Sequence, residues 1–134
     1  MTEIAHSAKD MISGMTPELQ EGRFVFAVAS DEATATGLAS EAIATMWEAE
    51  GLSLILPIEH ADRSDIEISP AMRCITLNVY SSLEGVGLTA AVSTALGAAN
   101  IPCNMVAGYH HDHVFVPEDM AEQALEILQA LQGK

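Results

Sequence analysis

The residues best suited to chemistry crowd into one short stretch, Tyr109-His110-His111-Asp112-His113. Imidazole nitrogens and a carboxylate on one hairpin could ligate zinc or a similar ion. His111 and His113 would share a strand face, but two steps along a strand separate side chains by about 7 Å. Joint ligation therefore needs a bent backbone or ligands from another chain. The other Cys and His spacings complete no closed site, so neither a metal nor any other cofactor is expected. Tyr109, His110, His111, Asp112 and His113 read instead as a polar hairpin bordering a module or subunit contact, or as a second site. A metal-dependent catalyst built on this cluster is the alternative. Against it, the chain has no nucleophile elbow, no phosphate-binding loop and no H-E-x-x-H, and His110 has no Ser or Cys partner readable from sequence.

A second stretch, Ser81-Ser82-Leu83-Glu84-Gly85-Val86-Gly87-Leu88, could hold a small molecule. A helix start offers free N–H groups and partial positive charge to a carboxylate, and glycines let a ligand approach the backbone. The candidate ligand-binding residues are Ser82, Leu83, Glu84, Gly85, Val86, Gly87 and Leu88, with Asn104. Gly85 and Gly87 could equally serve only to relieve crowding where helix meets sheet. Ser81 and Glu84 have the spacing of a capping box. Glu84 cannot both cap the helix and receive an α-amino group.

These stretches need elements to position them. Cys74 to Tyr80 alternates as a strand, with Ile75, Leu77 and Val79 on one face. A helix follows from the Ser81 turn, burying Leu88, Val92, Ala95, Leu96 and Ala99, and Asn100-Ile101-Pro102 ends it. Cys103 to Gly108 and His113 to Val116 form a hairpin around the Tyr109 to Asp112 tip. Pro117 then opens a last helix that buries Ala121, Ala124, Leu125, Leu128 and Leu131. The order strand, helix, strand, strand, helix lacks the final strand of a split βαβ unit. The run Phe24 to Ala29 is the expected supplier of that edge.

The first half is harder to read. Ile4 to Ile12 places Ile4, Ala8, Met11 and Ile12 on one helical face, and Gly14 with Pro17 stops it. Arg23 to Ala29 is a strand. Leu38 to Glu50 fits either a helix or, with Leu52, Leu54 and Leu56 beyond the Glu48-Ala49-Glu50-Gly51 turn, a hairpin. Ile58 to Ile66 suggests a short polar helix, and Ser69-Pro70 marks a module boundary.

Composition sets the outer limits. The 134 residues suit one compact domain or two very small modules. Hydrophobic residues make up 49% and aromatics only 4%, which suits helices on a sheet with methionines such as Met11, Met15, Met46 and Met105 as core fillers. Nineteen acidic residues against five basic ones give a formal net charge of −14, which repels nucleic acid and anionic membranes. No apolar run approaches the roughly 20 residues of a spanning helix. Met1 to Gly14 has no apolar core of a secretory signal, and Cys74 and Cys103 suit a reducing compartment. A cytoplasmic location is expected.

The run SSLEGVGLTAAVSTALGAANIPCNMVAGYHHDHVFVPEDMAEQALEILQAL resembles the C-terminal module of small bacterial tandem ACT-domain proteins. Gly14-Met15-Thr16-Pro17-Glu18-Leu19, the strand RFVF and Glu48 to Leu54 are similar to that family's N-terminal module. The resemblance implies an α+β, ferredoxin-like fold of two ACT modules, a degenerate one over 1–68 and a second over 69–134, with antiparallel sheets bearing helices on one face. It favours the hairpin for Ala42 to Leu56. It further implies a regulatory protein, not an enzyme, that binds a small molecule such as an amino acid where Ser82 to Leu88 meets the other module. A homodimer or higher homo-oligomer is expected. With no catalytic or DNA-binding domain attached, the output is left open, and a ligand-free oligomerisation module is the alternative.

Overall fold

A computed structural model describes residues 7–63, 66–79 and 86–133. In chain order the elements are helix α1 (Ala8–Gly14), strands β1 (Pro17–Leu19) and β2 (Phe24–Ala29), helix α2 (Glu32–Ala39), strands β3 (Ala44–Glu48), β4 (Gly51–Pro57), β5 (Glu67–Ile68) and β6 (Met72–Leu77), helix α3 (Leu88–Ala98), strands β7 (Asn104–Ala107) and β8 (Asp112–Pro117), and helix α4 (Ala121–Gln132). The chain divides into two compact units, Met1–Glu21 with Arg73–Lys134, and Gly22–Met72.

In the first unit the strands lie in the order β1, β6, β8, β7. That is the order of a split βαβ fold, with the chain's own start supplying the strand its end lacks. Pro17, Glu18 and Leu19 run antiparallel to Leu77, Thr76 and Ile75. The sequence assigned this edge to Phe24–Ala29. In the structure that run pairs along its whole length with β4, and the three residues beside Ile75–Leu77 are too few to show a period. Pro17, without an N–H, is well suited to an edge strand. One sheet face packs Ile75, Leu77, Val114 and Val116 against Leu88, Val92 and Leu96 of α3 and Ala121, Ala124 and Leu128 of α4. Met11 and Met15 fill the same core as expected, and Ile4 lies outside the described residues. Helix α3 ends on Asn100 in the left-handed region, φ 59°. Asn100 N–H donates to Gly97 and Ile101 N–H to Leu96, both at 3.0 Å, which satisfies the last carbonyls in a Schellman arrangement.

The second unit repeats the pattern with fewer parts. Its strands lie in the order β5, β2, β4, β3, paired antiparallel. The hairpin reading of Ala42 to Leu56 holds, with Glu48 opposite Gly51 and Ala44 opposite Ile55. The helical part of the ambiguous stretch ends earlier, at Ala39. Asp31 starts α2 by accepting from the Thr34 N–H at 2.9 Å, and Ala35 and Leu38 bury against Leu52, Leu54 and Leu56. Of the helix expected from Ile58 to Ile66, the described residues form only the 3-10 turn Ile58–His60. One turn is enough, because Ile58 and Ala61 reach the core from it and Ile66 packs there as well. Met46, expected as a core filler, is 68% exposed, since β3 is an outer strand.

Candidate functional site

Three segments converge at one end of the first unit: the end of β6, the start of α3 and the β7–β8 tip. The β6 chain continues through Asn78 and Val79 toward residues 80–85, which lie outside the described residues. Ser82, Leu83, Glu84 and Gly85 are therefore not placed, nor is the Ser81–Glu84 capping box. The described chain resumes at Val86, 79% exposed, and α3 opens at Leu88 with Gly87 as its N-cap.

Gly87 has φ +108°, a left-handed conformation that favours glycine. A Cβ built there would stand 2.4 Å from the Ala8 Cβ, so close packing between the starts of α1 and α3 requires the glycine as well. Among the described residues no side chain caps α3. The first intrahelical bond runs from the Ala91 N–H to the Gly87 carbonyl at 2.9 Å, so the N–H groups of Leu88, Thr89 and Ala90 precede the helical ladder. Those donors, with the positive end of an eleven-residue helix, suit an anionic group. Leu88 itself is buried in the core and contributes backbone only.

The hairpin tip is tied to this end. The His111 Nδ1–H donates to the Val79 carbonyl at 3.1 Å, which fixes the proton on Nδ1 and leaves Nε2 the basic nitrogen of the neutral ring. The Gly108 N–H donates to the His111 carbonyl at 2.8 Å, closing the turn. Tyr109 is 81% exposed and meets His110 edge to face, with ring centroids 5.0 Å apart.

His113 points elsewhere. Its Nδ1 lies 3.0 Å from Thr76 Oγ1, which also accepts from Gln20 Nε2 at 3.0 Å. Thr76 is buried, so this chain satisfies a polar group that would otherwise be costly. Burial pushes the His113 imidazole below its usual value, as does the neighbouring His111, while Asp112 acts in the opposite direction. Burial pushes the Asp112 carboxyl up, and His113 and His111 partly offset that. Burial also pushes the Cys74 and Cys103 thiols up, in Cys74 against a hydrogen bond from Thr76. Both shifts favour the neutral thiol. Among the described residues no three His, Cys, Asp or Glu side chains could jointly hold a metal ion.

The structure therefore brings Val86, Gly87 and Leu88 to the same end of the unit as the Tyr109–His113 tip. Asn104 is not part of this group. It opens β7 beyond the C-terminal end of α3, opposite Phe115, and its Nδ2 donates to the Phe115 carbonyl at 3.4 Å. The sequence reading missed Ala8, which packs on Gly87, and Gln20 and Thr76, which hold His113. Chain positions so far apart carry no local signal of contact.

Comparison with known proteins divides the chain in sequence near residue 72, whereas the structure assigns Met1–Glu21 to the same unit as Arg73–Lys134. Residues 6–73 and 71–130 each match a model of the ACT domain. No protein of curated function matches. A Vibrio cholerae protein of unknown function, described as a possible transport protein, shares 41% identity at a TM-score of 0.80, over 92% of this chain and 94% of that one. An Agrobacterium tumefaciens protein aligns at 19% identity and a TM-score of 0.68, over 87% of each chain. The regulatory subunit of aspartate kinase from Thermus flavus aligns at 10% identity and a TM-score of 0.65, over 86% of this chain and 95% of that one. At such identities these last two show the fold alone. No described helix is long and apolar enough to cross a membrane.

Proposed function

This chain belongs to the ACT-domain family, as its two matched domains show, and from that premise we propose that it is a regulatory protein that binds a small carboxylate-bearing molecule, an amino acid or close analogue, at the turn leading into α3. The observation that carries the reading is Gly87, left-handed at the start of a helix that no described side chain caps. A carboxylate there would accept from backbone N–H groups and meet the positive helix end. Val86, next to Gly87 in sequence, is exposed, the His111 tip is tied to Val79 at the end of β6, and Ser82 to Gly85 complete the turn in sequence. Binding without catalysis, in the cytoplasm and with no cofactor, completes the proposal.

The test is a thermal-shift screen of the free amino acids. At a hundredfold excess over the dissociation constant, a ligand that binds only the folded state adds about 2.7 kcal/mol. Gly87→Asp is a poor probe, because its Cβ would collide with Ala8. Val86→Asp instead places a negative charge beside the helix start on an exposed residue. The expected result is a parental shift that Val86→Asp removes while the variant melts no lower without ligand. A screen with no shift, or an undiminished shift in the variant, contradicts the reading.

Self-association as a homodimer or larger assembly belongs to the same proposal. Sedimentation at micromolar concentration should show it, and a monomer throughout, with and without ligand, would remove it.

A further inference from the structure

Strand β3 is the outer strand of the second unit, and among the described residues it pairs with β4 alone. Such edges are ordinarily short, charged or covered, because their free N–H and C=O groups template pairing. This one carries large apolar side chains in the open: Trp47 and Met46 are each 68% exposed and Ile43 is 52% exposed. Alternation sets Trp47 and Met46 on opposite faces, so apolar surface flanks the edge from both sides, and Ile43 lies just before the strand. The two-residue turn Ala49-Glu50 makes Glu48 and Gly51 the closing hydrogen-bonded pair, followed by Met46 with Ser53. The N–H groups of Thr45 and Trp47 therefore face outward, available to another strand.

The surroundings are acidic. Glu41, Glu48 and Glu50 are exposed along the hairpin. Glu48 accepts from the Ser53 hydroxyl, and Glu41 lies 3.6 Å from His60. Pairing this edge with a second copy would bring like-charged hairpins together on chains of formal net charge −14, which disfavours encounter and docking alike. A basic strand turns the same charges into attraction.

We propose that β3 is a docking edge for an extended segment of a partner protein in which lysine or arginine alternates with apolar residues, added as a further strand of the sheet. Main-chain bonds to Thr45 and Trp47 would set its register, Ile43, Met46 and Trp47 would cover its apolar side chains, and the glutamates would select its charge. The proposal goes beyond the small-molecule reading and does not depend on it.

Trp47 is the only tryptophan in the chain, so its fluorescence reports this edge directly. The probes are a synthetic Lys-Val repeat peptide of about ten residues, long enough to span the strand, and its Glu-Val counterpart. The Lys-Val peptide is expected to shift Trp47 emission saturably to the blue, less strongly at high salt, and the Glu-Val peptide to leave it unchanged. Thr45→Pro removes an outward N–H without touching the β4 ladder and should weaken binding about tenfold or more. If that variant fails to fold, the double variant Glu41→Lys, Glu50→Lys decides, by reversing the preference between the two peptides. Equal response to both peptides, or none to either, overturns the proposal. A blue shift that grows with protein concentration alone, together with dimer formation in sedimentation, also overturns it by giving the edge to a second copy.

Discussion

The two units use the same strand order with unequal cover. In the first, α3 and α4 both lie on the sheet, and Met11 of α1 and Met15 just after it join a core of mostly large side chains. In the second, among the described residues, α2 is accompanied only by the Ile58–His60 turn, and alanines at 27, 29, 35 and 61 share the core with Val25, Leu38, Leu52, Leu54 and Leu56. The same topology thus tolerates replacement of a helix by a turn if the apolar groups still reach the sheet. It follows that the second unit buries less per residue, and amide exchange should be faster from its strands than from β6 and β8. Equal protection in both would break the comparison.

Single truncations sharpen it. Leu96→Ala in α3 and Leu38→Ala in α2 each remove a side chain with no exposed surface, and each is expected to cost about 3 kcal/mol in denaturant unfolding. A loss below about 1 kcal/mol at Leu38 alone would show that α2 is not integral to its unit. Smaller effects are expected where backbone shape is at stake. Gly51→Ala places a Cβ 2.6 Å from the Ala29 carbonyl oxygen at φ +142°, and Gly87→Ala places one 2.4 Å from Ala8 at φ +108°. Each should cost about 2 kcal/mol, so a neutral outcome at Gly87 would mean that α1 yields there freely.

Smaller again is the polar face of the first unit. Thr76→Val leaves the Gln20 amide and the His113 ring without their shared oxygen, at about 1 to 2 kcal/mol. The smallest effect is the pH dependence of His113. Because its folded value lies below the ordinary 6.5, the unfolded chain takes up the proton first. Its contribution is intact above 6.5 and is lost as pH falls through the folded value. Asp112, raised above 3.8, works the other way, its contribution being present below that value and lost as pH rises through the folded one. His113→Gln should therefore flatten the decline in melting temperature just below pH 6.5. An unchanged profile would assign that decline to other groups.

Much of the second half was legible in the sequence because its signals are local and redundant: the alternation of Cys74 to Leu77, the Leu88, Val92, Leu96 stripe, and Asn100 before Pro102. The β3–β4 hairpin had the same quality once the resemblance separated it from a helical reading. What escaped was short or long-range. Strand β1 has three residues, with no room for a period. Helix α2 was overlooked although Asp31 and Thr34 mark its start, because Ala35 and Leu38 are its only buried residues. The pairing of Thr76 with both Gln20 and His113 joins positions 56 and 37 residues apart, which no spacing rule connects. The proposed ligand turn was read from Gly85 and Gly87 and from the resemblance, and of the two only Gly87 gains a physical reason, in its φ and the nearness of Ala8.

The most direct test of the proposed ligand site is amide NMR on labelled protein during titration with the amino acid that best raises the melting temperature. Saturable shifts are predicted for the amides of Gly87, Leu88, Thr89 and Ala90 and for His111, with little change at Asn104 or along β3. Shifts confined to residues away from the start of α3, or none at saturating amino acid, would contradict the account.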